Sequence, residues 1–201
     1  MPTLSKFDIC SAALLSFGAR RIASFDETTA EAVVAAGLYD IIVGTEFGKH
    51  RWNFARADFL LNRVSGMTPA DKFAYFYQLP GDCVLLRHVV GRDRTPITYE
   101  TVRGRMIATS DEAPIAHYTQ RVPEEQWPDF FVDLITQRCA AHFFGALRKD
   151  VAGRDRMLAA QDSPMPPVGA FIMAKKLDEQ EGSAPQLPAG PRANSWRGRR
   201  L

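Results

Sequence analysis

From Phe131 to Leu147 an apolar side chain recurs at every fourth position (Phe131, Ile135, Cys139, Phe143, Leu147), while Asp129, Asp133 and Gln137 fall on the opposite side. Side chains at that spacing stack along one face of an α-helix, so the stretch predicts a helix with a single apolar stripe. Pro128 suits its first turn, where a missing N–H forfeits no hydrogen bond. A striped helix of this kind must be covered, and the rest of the chain has to supply the cover.

Further helices are predicted on both sides of it. Ser5, with Asp8 three residues on, is a candidate cap for a helix over about 5–17, and Gly18 can stop it after Phe7, Cys10, Leu14 and Phe17. A second helix is expected after the capping candidates Asp26 and Thr28, with Val34, Leu38, Ile41 and Thr45 at helical spacing. Ala32, Ala35, Ala36 and Gly37 would let a neighbour approach it closely. After the central ladder, helical segments are expected over about 151–161 and 169–181, separated by the SPMPP break at 163–167.

Between about 56 and 121 the period changes. KFAYFYQLP alternates Phe73, Tyr75, Tyr77 and Leu79, as a strand with one aromatic face does; ITYETV runs through Arg103-Gly104 into RMIAT as a hairpin, and IAHYTQ adds a strand. The expected fold class is therefore mainly α, of the α+β kind: a helical bundle with an inserted small antiparallel β-sheet and an extended C-terminal arm. Residues 1–181 form the body, with helices over about 5–49 and 128–181, and 182–201 form the arm. The order helix, helix, sheet, helix, helix excludes a doubly wound parallel sheet.

Charge separates the two parts. The 201 residues carry a net charge of +2, yet Arg192, Arg197, Arg199 and Arg200 contribute four positive charges to a tail with no acidic residue after Glu181. Residues 1–181 are thus left at −2. No apolar run is long enough to cross a bilayer and no signal sequence is evident, so a cytoplasmic site of synthesis and no membrane partner are expected. Cys10, Cys83 and Cys139 are widely spaced and read as reduced, buried small hydrophobes.

Catalytic and cofactor motifs are absent. Gly44-Thr-Glu-Phe-Gly48-Lys49 has one residue too few between its glycines for a phosphate loop, and His50 stands where the Ser or Thr should be. His50, His88, His117 and His142 show no metal-ligand spacing, and the pairs Asp111-Glu112 and Glu124-Glu125 read as solvated turn residues. Neither an enzyme nor a cofactor or metal site is expected. The basic tail with Trp196 has the composition of an arm that folds against a protein partner, or of one that binds nucleic acid through phosphate contacts and stacking.

The ordered set ASFDETTAEA (23–32), LYDIIVGTEFGKHRWNFARA (38–57), YFYQLPGDCVLLRHV (75–89), YETVRGRMIAT (99–109) and HYTQRVPEEQWPDFFVDLITQRCAAHF (117–143) resembles the tubular tail protein A family of short-tailed phages. Members are head-to-tail adaptors. The resemblance covers about residues 5–147 and the SW…R element near the C-terminus. It implies a structural virion protein at the head–tail interface, assembled in the host bacterial cytoplasm as a ring, dodecameric in the family, beneath the portal protein. Below the ring a tail, nozzle or tail-terminator protein would bind, and genomic DNA would pass through the channel without sequence-specific contacts. Arg192, Trp196, Arg197, Arg199 and Arg200 would form the portal-binding arm.

The resemblance also assigns a role to HRWNFA, which ends the second helix and turns the chain into the sheet; Arg51 stands where many members carry proline. His50, Trp52, Asn53 and Phe54 form this structural motif. Trp52 and Phe54 would pack into the junction of bundle and insertion, and the short amide of Asn53 would satisfy backbone groups at the turn. The alternative for the whole chain is a DNA-binding accessory protein using the basic tail.

Overall fold

The computed structural model describes residues 5–67 and 72–182. Over these residues the fold is α+β, with five helices and two small antiparallel sheets. The helices are α1 (Lys6–Ser16), α2 (Ala30–Lys49), α3 (Asp129–Arg148), α4 (Val151–Gln161) and α5 (Ala170–Gly182). The strands are β1 (Arg56–Leu60), β2 (Asn62–Arg63), β3 (Tyr75–Gln78), β4 (Cys83–Val90), β5 (Tyr99–Val102), β6 (Met106–Thr109) and β7 (Ile115–Gln120).

α3 is the central beam. Phe131, Ile135, Cys139 and Phe143 are fully buried along it, and α1, α2, α4 and α5 all pack against it. α1 begins with a reciprocal capping box, in which the Ser5 hydroxyl accepts the Asp8 N–H while the Asp8 carboxylate accepts the Ser5 N–H at 3.0 Å. Two otherwise orphaned donors are satisfied this way. It ends against Gly18, whose φ of 74° is open to glycine at little cost.

The start of α2 and part of its buried face differ from the sequence expectation, although Val34 and Leu38 do pack against the core. Its cap is Thr29, whose hydroxyl accepts the Ala32 N–H at 3.3 Å, and not Asp26 or Thr28. Asp26 and Glu27 instead stabilise the preceding turn, where Glu27 accepts the Ala23 and Ser24 N–H groups. The buried face runs through Ala32, Ala35, Tyr39, Ile42, Val43, Glu46 and Phe47, leaving Ile41 65% exposed. The face is rotated because the bulkiest side chains that can meet α3 are Tyr39 and Phe47, and because Glu46 finds a buried cationic partner there. Of the small residues, Ala32 and Ala35 lie at the packed face while Ala36 and Gly37 are exposed.

The inserted β region is two sheets where one was expected. One has strand order β1-β7-β4 and the other β2-β3-β6-β5. The switch happens at buried Leu61, between β1 and β2, so a nearly continuous extended segment pairs with β7 on one side and with β3 on the other. Leu61, Tyr77, Leu79, Val89, Ile107, Ala116 and Tyr118 form the core between the sheets. β1 and β7, the strands that enter and leave the insertion, pair from Arg56↔Thr119 to Leu60↔Ile115 and form its neck. The β5–β6 hairpin turns at Arg103 and Gly104, both at positive φ.

Cys10 and Cys139 are buried and Cys83 is half-buried, all three as free thiols. Among the described residues no helix is long and apolar enough to cross a membrane. Of the expected arm 182–201, Gly182 is the last residue of α5, and 183–201, with Arg192, Trp196, Arg197, Arg199 and Arg200, lies outside the described residues.

Candidate functional site

The segment His50–Ala55 links the end of α2 to the neck of the insertion, and its aromatic side chains converge on Phe131 of α3 while reaching α2 and α5 as well. Trp52 is fully buried. Its indole N–H donates to the Glu46 carbonyl at 2.9 Å, which satisfies one of the last carbonyls of α2. Its ring lies edge-on to Phe131 of α3 at 5.0 Å, to His50 at 4.8 Å and to Phe171 of α5 at 6.2 Å. Phe54 meets Phe131 at 4.9 Å and Phe47 at 6.0 Å. Edge-to-face and tilted pairs within this range add to the area term, so the junction is an aromatic cluster that ties three helices to one loop.

The polar side of the motif is completed from the far end of the chain. Asp178 of α5 is fully buried, and its two carboxylate oxygens accept the Asn53 N–H at 2.8 and 2.9 Å and, more weakly, the Phe54 N–H at 3.4 Å. The Asn53 amide donates to the Asp178 carbonyl at 3.0 Å. Asn53 therefore satisfies a backbone group of α5, where sequence reasoning pointed to the turn itself. His50 Nε2 stands 3.5 Å from Asp178 Oδ2. On the sheet side, Arg87 of β4 donates to the Trp52 carbonyl and, through Nε at 3.0 Å, to the Thr119 hydroxyl of β7.

Close approach continues at the end of α5. A Cβ on Gly182 would collide with the Asn53 side-chain amide, whose position is already fixed by Asp178. The last described helix thus ends on the HRWNFA loop, and residues 183–201 continue from there.

Removing the Asp178 carboxylate should release this latch. Asp178→Ala leaves the Asn53 N–H without its buried acceptor, a loss of about 2–3 kcal/mol in unfolding free energy. Hydrogen exchange should show α5 amides opening faster in the variant while α3 keeps its protection. Equal acceleration in both helices would mean that Asp178 serves only global stability.

A second buried polar group lies beneath the junction. Arg138 of α3, 1% exposed, places Nε 3.1 Å from Glu46 Oε1 of α2, donates to Gln161 Oε1 at 3.2 Å and pairs with Asp162 at the end of α4. Lys49 reaches the same Glu46 oxygen at 2.5 Å. Gln161 in turn donates to the Gln137 carbonyl at 2.9 Å. One guanidinium therefore binds α2, α3 and α4 together, a structural use of charge.

The four histidines occupy three unlike environments. His142 is half-buried on α3, and burial lowers its pKa first, with Arg154, Arg138 and Lys49 adding to the shift and Glu46 opposing it. Burial likewise lowers the pKa of His50, against the attraction of Asp178. The folded values lie below the ordinary one near 6.5, so between the two the unfolded chain holds more protons. Stability is then full above about 6.5 and declines as pH falls through that value, levelling off below the folded pKa. Urea titrations at stepped pH should show this decline, and His142→Gln should make it shallower; an unchanged slope would remove His142 from the account.

His88 and His117, which have no spacing signal in the sequence, are brought together with Asp58 on the outer face of the three-stranded sheet. Among the described residues no group of three or more His, Cys, Asp or Glu side chains is placed to hold a metal ion. Gly44 and Gly48 lie inside α2, in a conformation unlike a phosphate loop. Glu124 of the second acidic pair accepts from the Tyr39 hydroxyl at 3.2 Å and from Arg121 at 3.0 Å. No protein-family model matches the chain, and no curated protein matches it.

Proposed function

We propose that this chain is a structural virion protein, a head-to-tail connector adaptor that forms a ring beneath a portal and joins capsid to tail, leaving a channel for DNA. The observation that carries this reading is the latch between HRWNFA and α5. It anchors the end of the last described helix at the junction of bundle and insertion, so a basic arm starting at residue 183 departs from a rigid point. An arm that folds only against a partner loses less binding energy to disorder when its root is fixed. In this reading Arg192, Trp196, Arg197, Arg199 and Arg200 dock into a groove between portal subunits, and the ring contacts a tail or nozzle protein below.

Two further features support it. Trp52 and Phe54 fill a core at the junction, and Asn53 is held by Asp178 of α5, which gives the motif a structural use. Exposed apolar residues on α2 (Val33, Ile41) and on α5 (Met173, Leu177) are surfaces that neighbouring copies in a ring would cover. Ring closure by such heterologous contacts can await a template of the same symmetry. Negative-stain electron microscopy of the chain mixed with the portal from the same genomic neighbourhood should show an added ring on one face of the portal. Free portal and unassembled chain side by side would count against the proposal.

The alternative, a DNA-binding accessory protein, rests on the four tail arginines set against a body at −2. It predicts an affinity for duplex DNA that falls with a log–log salt slope of about −3.6 if all four contact phosphates. The adaptor reading predicts no such site-sized slope at physiological salt.

A further inference from the structure

β1, β7 and β4 place Asp58, His117 and His88 in one cross-strand row on the face of their sheet that points away from the inter-sheet core. Facing residues on neighbouring strands have Cβ atoms about 5 Å apart, so the three side chains meet directly. Asp58 Oδ1 lies 2.5 Å from His117 Nδ1, and the two imidazoles stack with centroids 4.4 Å apart and planes 19° from parallel. An ionised carboxylate can only accept, so the proton between Asp58 and His117 belongs to Nδ1. His117 is thereby oriented, with Nε2 uncommitted to Asp58.

Two arginines flank the row. Arg56, on the same face of β1, holds Nε 3.7 Å from Asp58. Arg94 reaches in from the turn after β4, which is closed by Gly91 N–H to the Thr95 carbonyl and Arg94 N–H to the Gly91 carbonyl, each at 2.9 Å. Its φ is 64°, a left-handed conformation that residues other than Gly, Asn and Asp seldom adopt. Keeping arginine at such a position is unexplained by the turn alone, since its guanidinium has no hydrogen-bond or ion-pair partner among the described residues. With Val90 and Ile115 beneath, these five side chains line a cleft of about 360 Å³.

The charges in the cleft do not cancel. Two guanidinium groups face one carboxylate, and that carboxylate is engaged by His117. Burial lowers the pKa of His88, and His117, Arg56 and Arg51 lower it further against Asp58. An anion with several acceptor oxygens fits this set; a cation does not.

We propose that the cleft is a phosphate-binding site, in which Arg56 and Arg94 pair with the phosphate oxygens and His88 supplies an N–H donor, held in place by its stacking on the Asp58-bound ring of His117. This inference is independent of the adaptor reading. The same chemistry serves a free phosphate compound or a phosphodiester of nucleic acid. Arginine's planar fork suits either, and the volume admits a pyrophosphate or one nucleotide unit.

The test is a histidine-resolved NMR titration of the full chain, whose four histidines all lie outside the basic tail. Pyrophosphate and a short single-stranded oligonucleotide are added in separate series. The Cε1–H signals of His88 and His117 should shift and saturate, while those of His50 and His142 stay in place. Arg56→Gln with Arg94→Gln should weaken the response at least about tenfold, with the His50 and His142 signals reporting that the fold persists. Saturation by pyrophosphate assigns a free phosphate compound, and saturation by the oligonucleotide alone assigns a phosphodiester. The proposal is overturned if neither ligand gives a saturable shift by on the order of 10 mM, beyond the range of weak specific binding, or if the double variant responds like the parent. A shift of all four histidines together would likewise overturn it, as binding without a site.

Discussion

Trp52→Ala lowers the unfolding free energy by about 4 kcal/mol, the range found when a fully buried indole is truncated. The ring is enclosed by Phe131, Phe171, Phe54 and His50, which belong to three separate segments, so no single neighbour can move in and fill the space. Set against a typical total of about 5–15 kcal/mol, the loss leaves a body that is marginal at 25 °C. Trp52→Phe should cost only about 1–2 kcal/mol, because most of the apolar volume stays while the hydrogen bond to the Glu46 carbonyl is lost. Urea unfolding followed by far-ultraviolet circular dichroism reads both. If the alanine variant loses less than the phenylalanine variant, the junction is not the packed hub described.

The second large effect is expected at Arg138. Arg138→Met fits the volume but strands the Glu46 carboxylate in the interior, with Lys49 as its remaining cation. Breaking one side of a buried pair costs about 3–5 kcal/mol, and the half-exposed Lys49 places this case near the lower end. Pairing the change with Glu46→Gln removes the stranded charge and should recover most of the loss. The double-mutant cycle therefore predicts a coupling of about 2 kcal/mol between the sites. Additive losses would mean that Arg138 acts through Gln161 and Asp162 instead of Glu46.

Where the sequence is locally self-sufficient, it is legible. Ser5, Asp8 and Gly18 define α1 by chemistry completed within a few residues, and the ladder Phe131–Phe143 needs only the helical period. α4 and α5 follow from the SPMPP break and their flanks, and the β5–β6 hairpin from Arg103-Gly104. Legibility ends where the deciding partner is distant. The α2 face is read correctly at Val34 and Leu38, which pack on the core, and misread at Ile41 and Thr45, because the side that wins towards the C-terminal end contains Glu46, a residue that reads as solvent-facing until Arg138 is placed beside it. The split into two sheets depends on which partner each half of the 56–63 segment finds, β7 or β3, and no local pattern predicts a strand there or marks the change of partner.

The same limit governs the site. HRWNFA is visible as a dense aromatic and polar motif, and the burial of Trp52 and Phe54 accords with their chemistry. Asp178 carries little signal. It sits among charged residues on a mostly exposed helix, and only the fold shows that its carboxylate receives backbone N–H groups from the other end of the chain. A faint clue exists in the spacing of Phe171, Ala174 and Asp178, which share one face of α5 and would align an acid with an apolar stripe. The row Asp58, His117 and His88 is invisible for a similar reason, since cross-strand neighbours are set by register.

The most direct measurement of the central claim is mass photometry of the full chain and of a chain ending at Gly182, each alone and mixed with the portal. Ending at Gly182 keeps the whole of α5 and its contact with Asn53, so the body stays folded and only the arm is lost. The adaptor account predicts a portal complex of one defined stoichiometry for the full chain and none for the shortened one. Equal binding by both, or a full chain that ignores portal but shifts with DNA at low salt, would contradict it.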